Sequence, residues 1–264
     1  MIKGNIRKLK TTLEDIVKYE LPLSDELVHL NPLIGKSISL THSGNIFCID
    51  TGKKIKKAYG QGYSWDSFIT LPECDQCIVK PELCHYAKGT CRDSSWGEKH
   101  CMQPHVIYLS LTSDLKIGIT RRTQVPTRWI DQGAIRAIKL CEVKDRLTSG
   151  LIESEISKSM SDKTNWRKML KNEYPEIDLL EAKKDILKKF DSLFKKYEII
   201  VLDDEITNIN FPVENYPDKV SSFNFDKNPV IEGVLKGIKG QYLIFEKGVI
   251  NMRKFQGYEI SIEY

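Results

Sequence analysis

Two short apolar runs rich in β-branched residues, 106–111 and 115–120, are separated by only the three residues 112–114. Runs of this composition on either side of a tight turn predict a β-hairpin. A hairpin makes two strands antiparallel neighbours, so it limits how the following elements can be arranged. This segment constrains the fold more than any other in the chain.

The elements predicted after the hairpin give the order β-β-α-β-α. Residues 124–132 read as a helix with Pro126 in its first turn and Gly133 as its end. Residues 135–143 read as a third strand. Residues 147–160 read as a second helix that Asp145 or Thr148 caps, and its apolar residues recur at helical spacing, namely Leu147, Leu151, Ile152, Ile156 and Met160.

Three polar residues in this stretch suit phosphodiester chemistry. Tyr108 lies on the first strand, Arg128 one turn into the first helix, and Glu153 at the edge of the apolar face of the second helix. Glu155 is an equal local candidate for the carboxylate. A lone tyrosine on a buried strand is more often a packed ring than a base, so only the ordered set carries weight.

The chain resembles the GIY-YIG nuclease superfamily at Val-Ile-Tyr108 and Lys-Ile-Gly118, which stand where its two name-giving motifs lie. An interval of 20 residues from Tyr108 to Arg128 and one of 12 from Glu153 to Asn165 fit the same resemblance.

This resemblance implies a β-β-α-β-α unit and a set of roles. Tyr108 would accept a proton from the attacking water, and Arg128 would hold the scissile phosphate. Glu153 would bind one Mg²⁺ or Mn²⁺, and Asn165 would orient the metal or the substrate. Lys116 replaces the tyrosine of the second motif. Arg121 and Arg122, which follow the second strand directly, could share the phosphate role.

A narrower resemblance is to a bacterial family of unknown function, DUF2797. It rests on residues 75–85, 89–92, 116–133, 162–170 and 237–243. These segments cover most of the chain.

A second strong signal is five cysteines within 28 residues, Cys74, Cys77, Cys84, Cys91 and Cys101. The chain shows no secretory segment and no long apolar stretch, so we expect a cytoplasmic protein that is not attached to a membrane. In the cytoplasm, clustered thiols bind metal more often than they form disulfides. Zinc in a closed four-coordinate site is the expected ion. An iron–sulfur cluster is the alternative.

Five cysteines exceed the four places of such a site. Cys77, Cys84, Cys91 and Cys101 are favoured, or a set that includes Cys74, and His85 could substitute for one of them. The expected role is structural, because the segment has few apolar residues with which to hold itself together.

A third pattern has the layout of two zinc knuckles that have lost their ligands. Cys48 is the remaining cysteine, and Thr51, Ser64 and Ser67 stand at the other three positions. We expect no zinc there, and Cys48 should be an ordinary buried residue.

The charge balance permits a nucleic-acid partner without requiring one. The net charge is +4, since 36 acidic residues offset 40 basic ones. Lysines at 53–57 and at 183–196 could contact phosphates. The second group more simply forms the solvated face of one amphipathic helix, 179–197.

We expect an α+β protein with four segments. Residues 1–72 are β-rich, with 38–40 and 45–49 paired as a hairpin; 73–105 bind metal; 106–197 form the GIY-YIG-like domain; and 198–264 are β-rich. The two β-rich ends could share one sheet. The stretch 208–228 is interpreted as a lid or a linker.

The expected function is metal-assisted hydrolysis of DNA or RNA. Two alternatives stay open: a nucleic-acid-binding or adaptor protein without catalysis, and an enzyme that uses the same scaffold on another substrate. The oligomeric state does not follow from the sequence.

Overall fold

A computed structural model describes residues 1–160 and 164–264. Asp162, with which one of the family-like segments begins, lies outside the described residues. The chain divides into two compact units. Unit 1 comprises Met1–Ile69, Leu170–Asn172 and Ile209–Tyr264, and unit 2 comprises Thr70–Met169 and Glu173–Asn208.

The described residues form antiparallel sheets and helices, which confirms the α+β class. The strands are β1 Ile2–Asn5, β2 Lys10–Thr12, β3 Lys18–Leu23, β4 Glu26–His29, β5 Ser37–Phe47, β6 Lys54–Ile55, β7 His105–Leu111, β8 Leu115–Arg121, β9 Arg136–Val143, β10 Ile200–Val201, β11 Ile206–Asn208, β12 Val230–Lys239, β13 Tyr242–Phe245, β14 Gly248–Asn251 and β15 Tyr258–Glu263. The helices are α1 Trp65–Thr70, α2 Gln76–Val79, α3 Ser94–His100, α4 Thr127–Asp131, α5 Arg146–Ile156, α6 Trp166–Leu170, α7 Leu179–Lys189 and α8 Asp191–Lys196.

Strands from both ends of the chain share the main sheet of unit 1, as the sequence predicted. The order is β1-β15-β5-β12-β13-β14, with β6 on β5, and β2, β3 and β4 form a second, smaller sheet. Apolar side chains at alternate positions of β5 and β15, such as Leu40 and Ile260, are completely buried. Alternating burial of this kind is expected when one face of a sheet covers the core.

The hairpin expected within 38–49 is wrong. One continuous strand, β5, runs through this stretch, with β12 on one side and β15 on the other. Thr41 pairs with Val230 and with Ser261, so two distant strands supply the ladder that the local turn pattern could not reveal.

The stretch 208–228 is neither a lid nor a linker, because it packs on unit 1. Phe211 and Phe225 are buried. The amide of Glu214 donates to the carbonyl of Lys236 at 2.9 Å. These contacts anchor the stretch at several points along its length.

Unit 2 contains the predicted β-β-α-β-α order, and β7 is the central strand between β8 and β9. The hairpin, the third strand and the two helices are confirmed, although α4 and α5 are shorter than expected. Asp145 caps α5 by accepting from the amide of Thr148 at 2.8 Å. A mainly apolar core lies between this sheet and the helices, and it includes Leu109, Ile138, Ile152 and Leu179.

The helix expected over 179–197 is two helices, α7 and α8, that separate at Phe190. The sequence predicted that Lys183 lies on a solvated face, but in the structure it is buried. Its Nζ donates to the carbonyls of Leu202 and Asp203, both at 2.7 Å, and lies 2.8 Å from Oδ1 of Asp204. This lysine therefore fixes the chain before β11.

A second buried lysine, Lys239, lies at the end of β12 in unit 1. Its Nζ donates to Oδ1 of Asn172 at 2.7 Å and lies near the rings of Phe211 and Tyr216. Burial lowers the pKa of Lys239 to about 7, because the charged form loses its hydration.

Lys239→Met is expected to remove a pH dependence of stability. Between pH 7 and pH 10 the unfolded chain binds a proton that folded Lys239 does not, so the free energy of unfolding of the wild type should rise with pH, by about 2–4 kcal/mol in total. Urea unfolding at several pH values measures this. Lys236→Met, which removes a lysine paired to Glu214 and Glu246, should keep the rise; an equal slope in Lys239→Met would contradict the assignment.

Candidate functional site

The ring of Tyr108 lies across the hairpin against Gly118. These two residues are direct partners in the β7–β8 ladder. A Cβ atom on residue 118 would be 2.6 Å from the Tyr108 hydroxyl oxygen, so only glycine leaves room for it. The indole of Trp129 supports the ring edge-on, at 5.8 Å between centroids. The tyrosine is thus held in one orientation.

The Tyr108 hydroxyl meets side chains from both helices of the predicted unit. It donates to Oε1 of Gln132 at 3.0 Å and lies within hydrogen-bond reach of Arg128. The charge of Glu153 on α5 also acts on it. Arg128 is thus at hydrogen-bond distance from Tyr108, and Glu153 is close enough for its charge to act on the hydroxyl. The sequence reasoning missed Gln132, although it follows Arg128 by one helical turn.

Tyr108 itself is not solvent-exposed. Burial raises the pKa of its hydroxyl to about 12; Arg128 opposes the rise, and Glu153 adds to it. The hydroxyl is therefore protonated at neutral pH and acts as a hydrogen-bond donor in this arrangement.

The structure separates the two candidate carboxylates. Glu153 is half-buried and acts on Tyr108. Glu155, the other local candidate, is exposed and forms an ion pair with Lys158. Glu153 is the better candidate for a metal ligand.

Lys116 and Asn165 have distinct surroundings. Lys116 is buried and pairs with Ser110 in the β7–β8 ladder, two ladder pairs away from Tyr108 and so on the same face. Oδ1 of Asn165 accepts from the amides of Arg167 and Lys168, both at 3.2 Å. This caps the start of α6, and the role of Asn165 toward a metal or a substrate stays a prediction.

Of the two arginines at the end of β8, Arg122 is exposed, and its Nη1 lies 3.5 Å from Oε2 of Glu142. Arg121 is half-buried, and its charge acts on the side chains of Cys101 and Arg146. Arg128 also acts on Arg146, so Arg121 is the one of the two whose charge lies in the same region as that of Arg128.

Four of the clustered cysteines line one hollow in unit 2. They are Cys77, Cys84, Cys91 and Cys101. The fifth cysteine of the segment, Cys74, lies in the 3-10 turn Pro72–Cys74 and is not one of the residues that line this hollow. Cys77 lies on α2, Cys84 follows the 3-10 turn Pro81–Leu83, and Cys91 and Cys101 lie on either side of α3, so separate local structures bring these four side chains to one hollow.

Electrostatic coupling among the four thiols reflects their proximity. Burial, together with the neighbouring Asp75, Cys84 and Cys101, raises the pKa of Cys77 to about 12. Burial also raises the pKa of Cys101, with smaller contributions from Cys84 and Cys91. Thiols crowded in this way are expected to lose their protons only to a bound cation.

A group of three potential ligand atoms lies within the lining of the hollow. Among residues 1–160 and 164–264, atoms of Asp75, Cys77 and His85 lie within 4.8 Å of one another. Asp75 is already engaged: its Oδ2 is 2.8 Å from Nε of Arg92, and it caps α2 by accepting from the amide of Cys77. His85 bonds to Thr90 at 2.8 Å. These commitments favour a supporting role for Asp75 and His85.

The cysteine-rich segment packs directly on α5, the helix that carries Glu153. A Cβ atom on Gly150 would be 2.5 Å from the amide nitrogen of Glu82 and from Cβ of Pro81. Nη2 of Arg146 donates to the carbonyl of Ile78 at 2.6 Å. The segment therefore helps to position the helix.

Gly150→Val is expected to separate the segment from α5, because two extra methyl groups would meet backbone atoms that cannot move aside. We expect a loss of about 3 kcal/mol or more in the free energy of unfolding. Leu151→Val gives the control, since it places the same side chain at the next position of α5, which is exposed. Equal losses in the two variants, measured by urea unfolding, would contradict the close approach.

The four positions of the degenerate knuckle pattern do come together in unit 1. The Sγ atom of Cys48 accepts from the amide of Ser64 at 3.2 Å and lies 3.5 Å from Oγ of Ser67. Burial would raise the pKa of Cys48, but hydrogen bonds from Thr51, Ser67 and Ser64 outweigh it and lower the pKa to about 6. Cys48 is buried, as expected, but its hydroxyl surroundings set it apart from an ordinary core cysteine.

In the described part of the chain, each helix is too short or too polar to cross a lipid bilayer. Among known proteins, no curated protein matches this chain, and no solved structure matches it. The model of a family described as "Protein of unknown function (DUF2797)" matches residues 35–260. That match covers most of the 264 residues. The chain therefore belongs to the DUF2797 family.

Proposed function

We propose that this protein acts on nucleic acid by divalent-metal-assisted phosphodiester hydrolysis. The observation that carries the proposal is the meeting of Tyr108, Arg128 and Glu153 within a β-β-α-β-α unit. The GIY-YIG resemblance assigns these same three residues to catalysis. An arginine, a carboxylate and a phenol in one place form a set that can grip a phosphate and a metal ion together.

Arg128 is the proposed phosphate ligand, because its guanidinium lies beside the Tyr108 hydroxyl and Arg121 adds positive charge nearby. Glu153 is the proposed ligand of Mg²⁺ or Mn²⁺. A single half-buried carboxylate fits such an ion, which completes its coordination with water and phosphate oxygens. The ion would neutralise the charge of the phosphate. It would also neutralise the negative charge of Glu153, which disfavours ionisation of Tyr108.

Zinc is the proposed ion of the cysteine-rich segment, with a structural role. The four sulfurs that line the hollow are the donor type and number of a closed zinc site. An iron–sulfur cluster would use the same four residues, and an optical spectrum separates colourless zinc from a brown cluster.

The first experiment offers labelled single- and double-stranded DNA and RNA to the purified protein, with Mg²⁺, with Mn²⁺ or with EDTA. We expect cleavage that EDTA stops. Arg128→Met should reduce it by about a hundredfold. Arg122→Met removes an exposed arginine paired to Glu142, so it serves as the control and should retain most activity. Cleavage that survives EDTA, or that both variants lose equally, would contradict the proposal.

The complete burial of Tyr108, together with Lys116 in place of a second tyrosine, favours one alternative: a nucleic-acid-binding protein without catalysis. The same arginines would then bind phosphates in a salt-dependent manner. Tight binding that weakens with salt, without cleavage under any of the conditions above, would select this alternative.

A further inference from the structure

Arg146, in the first turn of α5, is half-buried and has no carboxylate ion-pair partner among the described residues. Its Nη2 atom donates to the carbonyl of Ile78, and its buried Nε atom has no hydrogen-bond partner among the described residues. Two positive charges, Arg121 and Arg128, repel it. The backbone amide of Arg146 donates to the carbonyl of Cys101 at 2.9 Å, and Ile78 directly follows Cys77, so Arg146 is a neighbour of both cysteines. Their sulfurs are among the groups that attract its charge.

A guanidinium remains charged, and it is costly to remove part of it from water without a nearby negative group. Neutral thiols do not provide one. Thiols that bind a metal lose their protons, so a divalent ion held by four thiolates has an overall double negative charge. Such a centre in the cysteine-lined hollow would be the missing counter-charge.

We propose that Arg146 is the counter-cation of a tetrathiolate metal centre formed by Cys77, Cys84, Cys91 and Cys101. The inference rests on the metal centre proposed above and selects its donor set. One carboxylate, one thiolate and one neutral imidazole around a divalent ion, as in the group at Asp75, would leave no net negative charge for Arg146. The same counter-charge offsets the repulsion that Arg121 and Arg128 exert on Arg146.

Cobalt(II) and zinc titrations of the full chain test the proposal. Cobalt bound by thiolates gives a charge-transfer absorption whose intensity scales with the number of sulfur ligands, and zinc competition then gives the affinity. We expect one equivalent of metal with four sulfur ligands. Arg146→Met should weaken zinc binding by about tenfold or more, and Arg146→Lys, which keeps the charge, by less. Arg136→Met is the control, because Arg136 also donates to a backbone carbonyl, that of Ile177, at 3.3 Å.

The stability of the metal-free proteins provides a second readout. Without metal, Arg146 lacks its counter-charge, so Arg146→Met should be at least as stable as the wild type in EDTA and less stable in zinc. A wild type that binds no stoichiometric metal would overturn both this inference and the metal centre on which it rests. Stoichiometric metal with unchanged zinc affinity in Arg146→Met, or with fewer than four sulfur ligands, would overturn this inference alone.

Discussion

Glu153→Gln is expected to lower divalent-dependent cleavage of nucleic acid by about a thousandfold or more, with the fold unchanged. The amide keeps the size of the side chain but is a weak ligand for Mg²⁺ or Mn²⁺. It also removes the negative charge that acts on Tyr108. Single-turnover cleavage with excess protein measures the chemical step, and the circular dichroism spectrum checks the fold.

Glu155→Gln is the matched control for this change. It alters the same residue type on the same helix, at an exposed position that pairs with Lys158. We expect cleavage within about threefold of the wild type, as is usual for exposed substitutions away from a site. If Glu155→Gln abolished cleavage and Glu153→Gln did not, the metal ligand would be assigned to the wrong carboxylate.

Loss of the proposed zinc is the second large effect. Cys101→Ser should abolish stoichiometric binding, because one of four ligands is lost from a site whose metal holds the segment together. Residues 70–104 should then become sensitive to protease, and the midpoint of thermal unfolding should fall by about 10 °C or more. Cleavage should also fall, since the segment packs on α5 at Gly150.

Cys74→Ser provides the comparison from the same segment. Cys74 is not one of the residues that line the hollow. Its replacement should therefore leave the metal content at one equivalent. Metal loss in Cys74→Ser with retention in Cys101→Ser would show that the donor set is a different one.

The sequence predicted the elements of unit 2 because their signals are local. Alternating β-branched residues on both sides of a three-residue turn predicted β7 and β8, and a capping aspartate marked the start of α5. The convergence of Tyr108, Arg128 and Glu153 followed from the same elements. The complete burial of Tyr108 was not predicted, because it depends on Trp129 and on packing that residue spacing does not show.

Long-range pairing accounts for what the sequence did not predict. β5 remains one strand because β12 and β15, nearly two hundred residues later, supply its partners. Lys183 and Lys239 are buried because distant carbonyl and amide oxygens accept from them. The choice of four among five cysteines likewise depends on where short turns direct each sulfur, which the spacing alone leaves open.

Paramagnetic broadening by Mn²⁺ tests the central claim most directly, because it locates the ion without requiring turnover. In spectra of the ¹⁵N-labelled protein with a short oligonucleotide, we predict that Mn²⁺ broadens the amide signals of Glu153, Arg128 and Gly118 first, and that Glu153→Gln removes this effect. Broadening centred elsewhere, or unchanged in Glu153→Gln, would contradict the account that these side chains form one metal and phosphate site.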